Sequence, residues 1–198
     1  MAIEDSPLEL NDIYERDIQF VIDNINSEPN DFWRRSLIRL CTSLFESEIF
    51  ILKNRLISYC DKNSIPFKPE LRLTLEGKKY TVESSGKLKS NYLSIKLTDD
   101  IRFTFQTYMD IRGFQLSSSF NDNGWNDLKE TIKIRNRITH PKSTVEQEIN
   151  TSEIAICMSG YNWFHKNYDQ FMRQELEHLQ IANSKLDERI ASNPPIDK

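Results

Sequence analysis

The sequence has few of the residues that break helices or cross-link chains. Only five of its 198 residues are glycine, and long stretches contain none, which argues against a turn-rich β fold and for helices. Its three cysteines, Cys41, Cys60 and Cys157, are odd in number, widely spaced and without a Cys-x-x-Cys pair. That pattern suggests neither a disulfide framework nor a zinc site. We expect three small buried side chains in a reducing compartment.

Long apolar runs and the common catalytic signatures are also missing. The start, MAIEDSPLEL, has no basic region followed by an apolar one, and no uncharged apolar run approaches the roughly 18–20 residues that cross a bilayer. We therefore expect a cytoplasmic protein without membrane contact. The chain also lacks a Walker loop, GxGxxG, HExxH, Cys/His metal spacing and a GxSxG elbow, so no cofactor or metal is expected.

The charge of the chain is unevenly distributed. Its net charge is -4 and its pI is about 5.5, so nothing attracts nucleic acid to the protein as a whole. Residues 129–142 differ, because a single acid, Glu130, stands there against five cations: Lys129, Lys133, Arg135, Arg137 and Lys142. Any contact with nucleic acid must be local, and we expect Lys133, Arg137 and Lys142 to make it.

The apolar pattern predicts a single all-α domain over residues 1–185. Helical spacing indicates helices over about 8–27, 32–63, 98–113, 124–140 and 151–185, the second being a long central helix without Gly or Pro. Residues 68–98 alternate in places and contain the turn residues Ser84, Ser85 and Gly86, which predicts a small inserted β-hairpin, YTVESSGKLK. We expect residues 186–198 to be a mobile C-terminal tail.

The helix over 124–140 changes character along its length. On a helical wheel, Trp125, Leu128 and Ile132 form one apolar stripe, which Asn136 and Thr139 continue in the final turn. Arg135 and His140 flank this stripe on either side, and Pro141 should end the helix at His140. Because polar groups on an inward face need partners or a purpose, the final turn is the candidate functional site.

The residue types in this turn suit phosphate chemistry. A guanidinium grips a phosphate with two hydrogen bonds and does not lose its charge, which is the role we predict for Arg135. An imidazole both takes and gives a proton near neutral pH, which is the role we predict for His140. The negative end of the helix dipole, where His140 lies, would favour the protonated imidazole. Together with the Asn136 amide, this is a plausible set for cleaving a phosphodiester without a metal.

Arg135-Asn136-x-x-x-His140, followed by Pro141, resembles the R-x4–6-H signature of HEPN domains in its RN-x3-H form. The stretches IRFTFQ, GW and IRNRITHPK resemble small stand-alone bacterial members, over roughly residues 30–165. The resemblance implies a helical bundle, a homodimer with both motifs in one interfacial cleft, and RNA as the substrate. It also implies that Arg135 binds the scissile phosphate, Asn136 orients the site and His140 transfers protons.

The family includes many toxins and phage-defence effectors, which makes an antitoxin or a defence-system protein a possible partner. Some members carry, two residues after the histidine, a tyrosine that a partner nucleotidyltransferase modifies. This chain has Lys142 there, which speaks against that subtype. Two other interpretations stay open: a noncatalytic dimer that binds a nucleotide or a partner protein, and a purely structural helix end that His140 caps.

One carboxylate of the central helix stands out. Glu48 falls near the centre of an apolar stripe, whereas Glu46 points away from it, beside Arg39; the stripe consists of Leu37, Cys41, Leu44, Phe45 and Leu52. A carboxylate there should have a partner, because an unpaired buried charge is costly. We predict a Glu48–Arg135 pair, with a local pair to Arg55 or a place in the dimer interface as alternatives.

The remaining aromatic and histidine side chains have simpler interpretations. We expect Trp125 and Trp163 to be core anchors rather than platforms for stacked bases. His165 and His178 lie in the last predicted helix and are expected to have structural or solvated roles.

Overall fold

The computed structural model describes the backbone of residues 7–192 and the side chains of residues 12–185. It is a helical bundle with one small β-hairpin, as the sequence predicts. The helices and strands, in chain order, are α1 (Pro7–Ser27), α2 (Asp31–Lys62), α3 (Pro69–Leu75), β1 (Lys78–Val82), β2 (Leu88–Tyr92), α4 (Leu97–Arg112), α5 (Asn123–Thr139) and α6 (Thr151–Ser192), with a short 3-10 turn at Val145–Gln147. In the described part of the chain, no helix is long and apolar enough to cross a membrane.

The central helix α2 begins and ends where its sequence changes. The Asn30 side chain accepts a hydrogen bond of 3.1 Å from the Trp33 N–H and so caps the first turn. After Lys62 the chain leaves the helix through Asn63, and Ser64 adopts a left-handed φ of 54°. The apolar stripe predicted for this helix is buried along its whole length.

Two helices differ from the predictions at their ends. The region 68–98 holds the hairpin but also α3, a helix of seven residues that was not predicted. Pro69 occupies its first turn, where a missing N–H costs nothing. At the C-terminus, α6 continues to Ser192, so residues 186–192 of the predicted mobile tail are helical. The rest of that tail lies outside the described residues.

The core forms where α5 and α6 pack against α2 and α4. Trp125 and Trp163 are both buried, with ring centres 5.1 Å apart, which confirms them as core anchors. The two helices approach closely at Gly160, where a Cβ atom would lie 2.7 Å from the Leu128 backbone. A side chain at that position would therefore push α5 away from α6. All three cysteines are buried and free, as expected.

The hairpin extends from the bundle rather than packing on it. Every residue of β1 is exposed, and Asn91 is the only residue of β2 that is half-buried. Its turn contains Gly86 with a φ of 77°, a conformation that favours glycine. At its base the Leu93 N–H donates a hydrogen bond of 2.8 Å to the Gly77 carbonyl, which holds the two ends of the hairpin together.

Candidate functional site

Helix α5 carries the motif, and its buried face is wider than the sequence suggests. Asp122 caps the helix by accepting a hydrogen bond of 3.0 Å from the Trp125 N–H. Leu128 and Ile132 are buried as predicted, but Ile134 and Ile138 are buried too. The helix packs on α6 and also on α2. Its buried face is therefore not limited to the stripe that begins at Trp125.

Asn136 and Thr139 are therefore not on the inward face. Both are exposed, which corrects the prediction that they continue the buried stripe. The Thr139 hydroxyl donates a hydrogen bond of 2.7 Å to the Arg135 carbonyl, one turn earlier, so it stabilises the end of the helix. Asn136 faces an open groove beside the motif. The polar turn thus needs no buried partners, and its side chains are available to a ligand.

Arg135 is held at the mouth of this groove by two neighbours. Its Nη2 lies 3.0 Å from Oε1 of Glu46, and its Nη1 donates a hydrogen bond of 3.2 Å to Oδ1 of Asn136. The Arg135 side chain is 32% exposed and that of Glu46 is 47% exposed. The guanidinium is therefore oriented by a carboxylate that water reaches, and such a carboxylate can yield to a phosphate.

The predicted Glu48–Arg135 pair is wrong, because Glu46 takes that place. Residues two apart on a helix point about 200° from each other, so Glu46 and Glu48 lie on opposite sides of α2. α5 contributes Arg135 on the Glu46 side. Sequence periodicity identified the buried side of α2 correctly but could not say which side faces the motif.

Glu48 is buried as predicted, with 1% exposure, but no cation of the described residues forms an ion pair with it. Among the described residues, its Oε2 atom has no hydrogen-bond partner. Removal from water raises its pKa well above the ordinary value of 4.5, and the negative charges of Asp169 and Glu15 raise it further. The alternative partner Arg55 instead contacts the Met172 sulfur at 3.1 Å.

His140 stands at the C-terminal cap of α5. Its backbone is no longer helical (φ -126°, ψ 57°), and its N–H donates a hydrogen bond of 3.1 Å to the Asn136 carbonyl. The helix therefore ends where Pro141 requires. The side chain is exposed, and within the described part of the chain no hydrogen bond or ion pair holds the imidazole. His140 is accessible, but it lies beyond the groove that Arg135 and Asn136 line.

The groove has a cavity volume of about 880 Å³ and lies between α2, α5, the N-terminal end of α4 and the base of the hairpin. Lys129 and Lys133 of α5 line one side, beside Arg135 and Asn136. The lining also includes Lys96 and Tyr92, together with Lys53 and Asp100, which form an ion pair. The sequence did not single out Glu46, Lys96 or Tyr92, because their place in the site depends on tertiary packing.

The three cations predicted to contact RNA have different surroundings. Lys133 is exposed and lies 2.7 Å from Glu130, a weak surface pair one turn away. Lys142 is exposed, and its backbone N–H bonds to the Glu146 carboxylate.

Arg137 also has contacts within the chain. It lies 2.8 Å from Oε1 of Glu153 and donates to the Glu148 carbonyl at 3.0 Å. Both partners belong to the segment that leads into and begins α6. Arg137 therefore fastens the end of α5 to the start of α6. Its side chain is still 34% exposed, so its contact with RNA stays a prediction, like the contacts of Lys133 and Lys142.

Comparisons of the chain with protein-family models, with curated proteins and with solved structures gave no match. In the described residues, no group of three or more His, Cys, Asp and Glu side chains is placed to hold a metal ion. The end of α5 presents an oriented guanidinium, an adjacent amide and an exposed imidazole.

Proposed function

We propose that this protein is a metal-independent endoribonuclease of the HEPN type, acting as a homodimer in a toxin or phage-defence role. The observation that carries the proposal is the exposed end of α5. There Arg135 and Asn136 face an open groove, and His140 follows them with no hydrogen bond or ion pair to its imidazole from the described residues. A structural helix end would have these side chains bonded to carbonyls, whereas here the Arg135 guanidinium meets a carboxylate and an amide oxygen.

The proposed reaction uses the substrate's own nucleophile. The ribose 2′-oxygen forms a bond to the adjacent phosphorus, and the bond from phosphorus to the 5′-oxygen of the next nucleotide breaks. The products are a 2′,3′-cyclic phosphate and a 5′-hydroxyl, so no water is consumed. Arg135 neutralises the charge on the phosphate oxygens, Asn136 holds the guanidinium in orientation, and His140 transfers a proton.

A second copy of the chain would complete the site. The reaction needs one group to accept the proton of the 2′-hydroxyl and another to donate a proton to the leaving oxygen, and the motif of one chain supplies a single histidine. A symmetric dimer whose interface includes the end of α5 would place two motifs in one cleft. Light scattering at micromolar concentration should therefore give about twice 23.4 kDa. A stable monomer that cleaves RNA would contradict the shared site.

The direct test is incubation of the purified protein with single-stranded RNA in the presence of EDTA. Cleavage should continue, and the product ends should be cyclic phosphate and 5′-hydroxyl. His140→Ala should lose about 10²–10⁴ in rate, because it removes a positioned proton-transfer group. His178→Ala, which changes an exposed histidine on α6, is the matched control. The proposal fails if His140→Ala cleaves as fast as wild type, or if EDTA abolishes the activity.

A noncatalytic dimer that binds a nucleotide or a partner protein is the second candidate. The Arg135–Glu46 ion pair favours it, since a guanidinium already paired with a carboxylate is partly neutralised before any phosphate arrives. This candidate predicts binding without turnover. Equal RNA retention by wild type and His140→Ala, with no product in either reaction, would support it over the ribonuclease.

A further inference from the structure

We infer that the β1–β2 hairpin is an arm that binds single-stranded RNA and delivers it to the α5 groove, stacking bases on Tyr80 and Tyr92. This inference rests on the proposed function and names the form of RNA that the site accepts. It begins from the exposed sheet, because a two-stranded hairpin that packs on nothing gains little stability from its own residues.

The two faces of the hairpin differ in character. The strands pair antiparallel, with Lys78 opposite Tyr92, Tyr80 opposite Ser90, and Val82 opposite Leu88. Because side chains alternate along a strand, these six residues share one face. Its four apolar members are all exposed, from 51% for Tyr80 to 82% for Tyr92. The other face carries Lys79, Thr81, Lys89 and Asn91, all polar.

The net charge of the hairpin indicates which kind of molecule its exposed aromatic face would bind. Residues 78–92 contain four lysines and one glutamate, a net charge of +3, although the whole chain has a net charge of -4. Among the described residues, no carboxylate forms an ion pair with Lys79 or Lys87. A second copy of the hairpin would bring like charges together, which is unfavourable. A polyanion with flat apolar faces is complementary to both features, and single-stranded RNA is such a molecule.

The hairpin is continuous with the candidate site. Tyr92 and Gly77, at its base, line the same groove as Arg135 and Asn136. Lys96 and Lys129 line that groove without an ion pair in the described part of the chain. Tyr92 thus connects the aromatic face of the hairpin to the groove cations Lys96 and Lys129, and aromatic rings beside cations are the usual arrangement for binding a single strand without sequence preference. Paired bases offer no free faces, so a duplex should bind poorly.

The test uses full-length protein carrying His140→Ala, so that the probe survives. Fluorescence anisotropy would compare a fluorescein-labelled 12-nucleotide single strand with the same strand in a duplex. In that background, Tyr80→Ala with Tyr92→Ala should weaken single-strand binding by about tenfold or more, since each stacked base contributes substantially. Tyr80→Phe with Tyr92→Phe should keep the affinity, because the rings remain. Thr81→Ala, on the polar face, is the matched control.

Three outcomes would overturn the inference: unchanged affinity in the double alanine variant, equal loss with Thr81→Ala, or tighter binding of the duplex. A halved mass of the double alanine variant in light scattering would also overturn it, by making the hairpin an interface between copies. Cleavage assays with His140 intact separate this inference from the proposed function. If wild type cleaves RNA but the hairpin variants bind RNA with normal affinity, the inference about the hairpin is wrong and the proposed function stands. If RNA binding requires the two tyrosines but no RNA is cleaved, the proposed ribonuclease activity is wrong and the inference about the hairpin stands.

Discussion

Glu46 and Glu48 lie two residues apart on α2 and have opposite environments. Glu46 is 47% exposed and ion-paired with Arg135, whereas Glu48 is buried, with an oxygen that has no partner among the described residues. The difference follows from helix geometry, since two steps of about 100° carry a side chain to the far side. One side of α2 thus supports the motif, and the other belongs to the core formed with α6. An exposed, ion-paired carboxylate and a buried, costly one can thus be near neighbours in sequence.

The largest effect should come from the motif side. Arg135→Ala should weaken RNA binding and lower the cleavage rate by about 10² or more, because it removes the group that neutralises the phosphate. Arg135→Lys should restore little, since a point charge cannot replace the planar fork of donors. Single-turnover cleavage and anisotropy with single-stranded RNA would measure the two effects. The thermal unfolding temperature should be nearly unchanged, because the Arg135 side chain is partly exposed. A large loss of stability would contradict the assignment of the core to the Glu48 side of α2 and of the motif to the Glu46 side.

The next effect concerns Glu48 and depends on pH. Its pKa in the folded protein is raised, so above pH 4.5 the unfolded chain releases its proton while the folded protein keeps it. Wild type should therefore lose stability as pH rises above 4.5, until the pH reaches the raised pKa. Glu48→Gln has no proton to release. The difference in free energy of unfolding should shift in favour of the variant by up to about 1.4 kcal/mol per pH unit.

Urea denaturation of wild type and Glu48→Gln at pH 5, 6 and 7 would measure that difference. Glu46→Gln is the control for loss of a carboxylate from the opposite side of the same helix. Parallel curves for wild type and Glu48→Gln would mean that Glu48 is ionised in the folded protein and has a partner. RNA cleavage by Glu48→Gln should be retained, because Glu48 does not contact the motif.

The smallest effect should come from Glu46. Glu46→Gln removes the negative charge beside Arg135, and an exposed ion pair contributes less than about 1 kcal/mol to stability. The melting temperature should therefore change little. Affinity for single-stranded RNA should rise by up to about fivefold, since the phosphate no longer competes with a carboxylate. Weaker binding would instead show that Glu46 is needed to orient the guanidinium.

The sequence predicted the parts of the fold that depend on local pattern. The Gly-free apolar stretch of α2, the helix stop at Pro141 and the turn residues Ser84, Ser85 and Gly86 each determine structure within a few residues. α3 was missed because seven residues are too few to show a helical period, although Pro69 is a common first-turn residue.

The candidate site could be predicted only in part. The residues that form it were found from their chemistry, but the partner of Arg135 was not. Periodicity says which face of α2 is buried, and it does not say whether α5 lies on that face or beside it. Glu46 was set aside because it points away from the stripe, and that exposure is what allows it to meet a surface arginine. Lys96 and Tyr92 enter the groove only through tertiary packing.

The hydrogen bond between Leu93 and Gly77 makes the hairpin separable from the bundle. This hydrogen bond joins the two ends of the hairpin where they leave the helical body. The residues between them form a closed loop, and a change in the length of that loop should not disturb the packing of the core. Replacing residues 78–92 by a short flexible linker should leave the helices in place. This position is therefore where the chain should best tolerate insertions or deletions, and where another structural element could be grafted beside the same motif.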